Sequence, residues 1–168
     1  MKLRGVMKNL NNLILIFVMM TSTVFAEDLF QKMRGLKVVS YSKLGHESDE
    51  YEAIVVEEKA DHLLKVINKK GEDILTDSYP ILTDSFQELR SVDIGDELSP
   101  YILVVTQRGI HGENLLIYSL PKRKLVKNYT STMPISWQVF EDHISIQAYG
   151  PKQSSGEEAK QNFTYPIK

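Results

Sequence analysis

The sequence predicts an all-β protein: an antiparallel meander forming a sandwich, a small barrel or a partial propeller-like sheet, with a short N-terminal helix after a signal peptide. Three observations carry this expectation. Short runs rich in Val, Ile and Tyr recur along the chain. Turn-forming residues separate them roughly every 8–12 residues. No amphipathic segment of helix length interrupts the runs after Leu36.

The first element is an address label. Lys2, Arg4 and Lys8 make a basic start, and an uninterrupted apolar run follows from Leu13 to Met20. A membrane-spanning helix needs roughly 20 apolar residues, whereas a secretory signal needs a core of about 7–15 followed by small residues. Thr21, Ser22 and Thr23 end the run, and Val24-Phe25-Ala26 places the cleavage after Ala26. Residues 1–26 are therefore expected to be a cleavable signal peptide and 27–168 a single β-rich domain. No stable membrane insertion is expected after cleavage. The chain has no cysteine, and an exported domain without disulfides points to a bacterial periplasm or bacterial secretion. Removing the three basic residues of the signal leaves 17 of the 20 Lys and Arg against 22 Asp and Glu, a mature net charge of −5. Nucleic acid is not an expected partner, because a polyanion needs a concentrated basic face.

"EDLFQKMRG" opens the mature chain with Glu27 and Asp28 early, Lys32 and Arg34 late and Gly35 behind them, an order that suits a short helix and its dipole. "LKVVSYS", "YEAIVVEE" and "HLLKVIN" follow as strands, and "NKKGED" reads as a hairpin turn with Gly71 at positive φ. "ILTDSYPILTDS" is broken by Pro80 and carries no strand assignment. The pattern resumes with "FQELRSVDI", "YILVVTQ", "NLLIYSL", "LVKNYT", "ISWQVF" and "HISIQAY". "YILVV" and "NLLIYSL" are apolar at consecutive positions, so both are expected to be central and covered on two faces, whereas Ile144, Ile146 and Ala148 alternate with polar residues and imply one wet face. "GPKQSSGEEAKQN", from Gly150 to Asn162, is expected to be a long exposed loop before a closing strand "FTYPI".

"SVDIGDELSPYILVVTQRGIHGENLLIYSL", from Ser91 to Leu120, resembles one blade unit of the FG-GAP or integrin-type β-propeller repeats: an acidic turn, an aliphatic strand, a glycine-containing loop and a second strand ending in "IYSL". In that family closely spaced aspartates of the acidic turn often hold calcium. Asp93, Asp96 and Glu97 stand here, but Leu98 and Ser99 occupy places where further oxygen ligands and glycine belong. The resemblance therefore extends to the strands and not to a calcium site.

No catalytic constellation emerges. His46, His62, His111 and His143 form neither an HExxH motif nor an i, i+4 pair, and "GHESDE" around His46 lacks the spacing of a calcium loop. There is no GxSxG elbow. No cofactor, metal ligand set or catalytic residue is assigned. Trp137 is expected to anchor packing. The candidate binding residues lie in two loops. "QRGIHGEN" offers Arg108, Ile110, His111 and Glu113 around Gly109 and Gly112, and the later loop offers Lys152, Ser154 and Ser155. These features lead to the expectation of an exported noncatalytic β-domain that binds a protein or a cell-envelope component, in one form an inhibitor or immunity protein. The alternative is a small periplasmic hydrolase or metal-dependent enzyme that uses His111 or His46 with carboxylates brought near by folding.

Overall fold

The computed structural model describes residues 36–44, 51–92, 101–152 and 158–167, all within one compact unit, Leu36–Lys168. Among the described residues there are strands and turns only. The elements are β1 (Lys37–Leu44), β2 (Tyr51–Glu58), β3 (Asp61–Asn68), β4 (Asp73–Pro80), β5 (Asp84–Val92), β6 (Tyr101–Arg108), β7 (Gly112–Ser119), β8 (Lys124–Ser131), β9 (Ser136–Val139), β10 (His143–Lys152) and β11 (Glu158–Pro166). They form three antiparallel sheets, ordered β1-β2-β3-β4, β5-β6-β7-β8 and β11-β10-β9. Within each sheet every strand pairs with its neighbours in sequence, as a meander requires, and the chain changes sheet after β4 and after β8. All three sheets stay open, so the small-barrel form of the expectation is set aside. The expected signal peptide and N-terminal helix lie outside the described residues.

The middle sheet owes its place to β6 and β7. Tyr101 to Thr106 and Asn114 to Ser119 are all buried. Successive strand side chains point to opposite faces, and the two faces feed two different cores. Ile102, Val104, Leu116 and Tyr118 pack with Val55, Leu64 and Val66 of the first sheet. Leu103, Val105, Leu115 and Ile117 pack with Ile144, Ile146 and Ala148 of the third. Each fully buried aliphatic side chain contributes about 1.5–3 kcal/mol. The consecutive apolar residues in "YILVV" and "NLLIYSL" therefore record a sheet covered on both faces. In β10 the expected alternation also holds: Ile144, Ile146 and Ala148 are buried, while His143, Ser145 and Gln147 are half-buried.

Polar bridges tie the first sheet to the middle one inside this packing. The Tyr118 hydroxyl donates to Asp77 Oδ2 at 2.7 Å and lies 2.8 Å from the Tyr79 hydroxyl. Burial pushes both phenols far above the ordinary tyrosine range, and for Tyr118 the neighbouring Tyr79 and Asp77 add to that push. Nearby, the buried His62 accepts the Phe86 backbone N–H at Nδ1, 3.1 Å away. Its proton therefore sits on Nε2.

Turn chemistry follows the sequence where side chains dictate it. Gly71 adopts φ 74°, and Asn68 Oδ1 accepts the backbone N–H groups of Lys70 and Glu72. Two departures concern polar strands. Asp73–Pro80 is a strand, β4, although its Thr, Asp, Ser and Pro content hides it. It lies at the sheet edge with Pro80 as its last residue, where a missing N–H is tolerated. The predicted loop from Gly150 to Asn162 is largely strand as well: β10 runs through Lys152, β11 starts at Glu158, and the two pair at Tyr149↔Lys160 and Lys152↔Glu158. Main-chain hydrogen bonds need no aliphatic side chains, so a polar edge strand and a loop look alike in sequence.

Candidate functional site

The β6–β7 hairpin ends at the turn formed by Gly109, Ile110 and His111, with Arg108 paired to Gly112 below it. Gly109 supplies the positive φ, 66°, that the tight reversal needs. Gly112 serves differently. A Cβ there would stand 2.7 Å from the Ser131 carbonyl oxygen and 2.9 Å from that of Arg108, so only glycine lets the backbones approach this closely. The turn thereby presents Ile110, 82% exposed, beside the exposed side chains of Arg108 and His111.

Opposite the turn, the end of β8 meets the end of β10. The buried Ser131 Oγ accepts the Tyr149 N–H at 2.8 Å and the Met133 N–H at 3.3 Å. The Thr132 N–H donates to the Tyr149 carbonyl at 2.9 Å, and its hydroxyl lies within bonding distance of the Tyr149 and Gly150 carbonyls. This seam locks the middle sheet to the third and fixes Tyr149, Gly150 and Pro151 facing the turn.

Between the two walls lies an open cleft of about 670 Å³. Arg108, Ile110, His111 and Gly112 line one side. Tyr149 to Pro151, Gln161 and the Thr130–Thr132 segment line the other. Among the described residues the lining contains a guanidinium, an imidazole, hydroxyls and an amide, but no carboxylate. Its volume falls within the roughly 300–1,000 Å³ of small-ligand sites.

Of the residues singled out by sequence, Arg108, Ile110 and His111 thus converge on the cleft. Glu113 sits at the start of β7, where its Oε2 accepts the Ile135 backbone N–H at 2.8 Å. Lys152 ends β10, and Ser154 and Ser155 lie outside the described residues. The predicted second loop enters the cleft through Gly150, Pro151 and Gln161 instead. Ser131, Thr132 and Tyr149 carried no sequence signal, because their meeting depends on how two sheets stack. Asp93, Asp96 and Glu97 of the acidic turn, like His46 and its acidic neighbours, lie outside the described residues. Among the described residues no three His, Asp or Glu side chains group as metal ligands. Trp137 packs half-buried against the second core, consistent with its expected anchoring role.

These features define a class: an all-β protein of three stacked antiparallel sheets with a polar cleft at the seam of two of them. Comparison with protein-family models, curated proteins and solved structures returns no match to this chain.

Proposed function

We propose that the mature chain is an exported noncatalytic binding domain that recognises a protein or cell-envelope component through the cleft between the β6–β7 turn and the Tyr149–Pro151 end of β10. The observation that carries this reading is the convergence of both segments on one opening. A rigid seam holds one wall, and a glycine-dependent turn holds the other. Arg108 and His111 supply positive or hydrogen-bonding groups, Ile110 supplies an apolar contact, and Tyr149 and Gln161 supply a polar rim. Recognition on such termini follows from their freedom to present polar groups that strand ladders would otherwise consume.

Two features favour binding over turnover. Ser131 Oγ, the buried hydroxyl at the cleft, is occupied by two backbone N–H groups, and among the described residues no carboxylate of the lining orients His111. The test is capture from an envelope extract by immobilised mature protein, run beside Arg108→Ala and His111→Ala. Loss of a wild-type partner with both variants supports the reading. Full retention by both, with unchanged melting, opposes it.

A further inference from the structure

A second cleft, of about 460 Å³, lies between the middle and third sheets away from the first one, lined by Arg90, Ser91 and Val92 of β5 and by Trp137, Gln138 and Val139 of β9. Each strand contributes consecutive residues. Because neighbouring strand residues face opposite ways, a cleft lined by three in a row on both sides runs along the strand edges rather than over one sheet face. Among the described residues both strands are edges: β5 pairs only with β6, and β9 only with β10.

The phase of the β9–β10 ladder identifies which backbone groups face this opening. The Phe140 N–H donates to the His143 carbonyl at 2.8 Å. Antiparallel ladders alternate hydrogen-bonded and non-hydrogen-bonded pairs. With Val139 opposite Ile144, Gln138 opposite Ser145 and Trp137 opposite Ile146, Gln138 continues the bonded set. Trp137 and Val139 therefore turn their N–H and C=O groups away from β10. They have no backbone partner among the described residues. Among the described residues the third sheet has three strands where the others have four. Beside the open edge, the Arg90 guanidinium sits 5.8 Å from the centre of the Trp137 ring, which gives an incoming side chain a flat, amphipathic surface. Val139 and Phe140 add exposed apolar surface at the far end.

The geometry points to β9 as an acceptor for strand addition: an extended segment of a partner polypeptide enters between β5 and β9, bonds to the Trp137 and Val139 backbone, lays a side chain against Trp137 and becomes the fourth strand of the third sheet. An extended peptide is the ligand whose alternating donors and acceptors match such an edge, with side-chain pockets adding selectivity. This site is separate from the cleft of the proposed function, since it shares none of its residues.

The test uses a phage-displayed library of linear peptides selected against the mature chain, followed by amide hydrogen exchange with the enriched peptides. Bound peptide is expected to slow exchange at Trp137 and Val139 and to leave Arg108 to His111 unchanged. Val139→Pro removes an outward N–H without touching the β9–β10 ladder and is expected to weaken peptide binding at least about tenfold. Arg90→Ala, on the opposite wall and on the face that carries Leu103, removes the guanidinium beside Trp137 and is expected to weaken peptide binding as well, and serves should the proline variant fold poorly. Arg108→Ala is expected to bind the peptides as the wild type does. Any of four results overturns the proposal: no enriched peptide, equal binding by both cleft variants, Trp137 and Val139 amides already protected in the free protein, or self-association through β9, which would make the occupant a second copy.

Discussion

Tyr79 on β4 and Tyr118 on β7 place their hydroxyl oxygens 2.8 Å apart across the interface of the first and middle sheets, and Asp77 closes the chain by accepting from Tyr118. Both rings are buried. An unpaired buried hydroxyl costs about 1–3 kcal/mol, so Tyr118→Phe, which deprives Tyr79 and Asp77 together, is expected to lower unfolding free energy by about 2 kcal/mol. Urea denaturation measures it, and an unchanged midpoint would show that the chain contributes nothing to the interface.

The same pair sets an alkaline limit. Burial raises the folded-state pKa of both phenols above the unfolded value of about 10. Below about pH 10 both states keep their protons and stability is level. Above it the unfolded chain releases protons that the fold retains, so stability falls, by up to about 1.4 kcal/mol per pH unit for each tyrosine. Denaturation across a pH series, read with tyrosinate absorbance, should show tyrosines that ionise only on unfolding. Tyr118→Phe should remove one of the two contributions to the slope.

Gly109 and Gly112 are predicted to fail differently. Gly109→Ala meets no neighbouring atom but must hold φ 66°, at a cost of about 1 kcal/mol. Gly112→Ala forces a methyl against the Ser131 carbonyl and is expected to cost about 2 kcal/mol. Paired urea titrations check the order, and a smaller loss at Gly112 would place Ser131 farther from the turn than described.

Glu52 is 6% exposed, with Tyr41 donating to Oε1 and no partner for Oε2 among the described residues. Such a carboxylate oxygen is costly to bury, so Glu52→Met is expected to raise stability by about 1 kcal/mol. A fall in melting temperature would contradict this.

How much of the molecule could be read from sequence follows from what side chains record. The double burial of β6 and β7 was legible because Ile102 to Val105 and Leu115 to Tyr118 leave no polar face, and the Asn68–Asp73 turn was legible because Asn and Gly have local roles. The strands β4 and the first half of β11 were not, since Thr76, Ser78 and Lys160 contribute only main-chain pairing and look solvated in either state. At the cleft, Gly109 and Gly112 announced one wall. The other required Ser131 to meet Tyr149, a contact set by the stacking of two sheets.

Isothermal titration of the envelope partner recovered by mature wild-type protein, against wild type, Arg108→Ala and His111→Ala, tests the recognition cleft most directly. The account predicts a Kd at least about tenfold weaker for each variant, or about 1.4 kcal/mol, with melting temperatures held. Equal Kd values for all three folded proteins would contradict it and move recognition away from the β6–β7 turn.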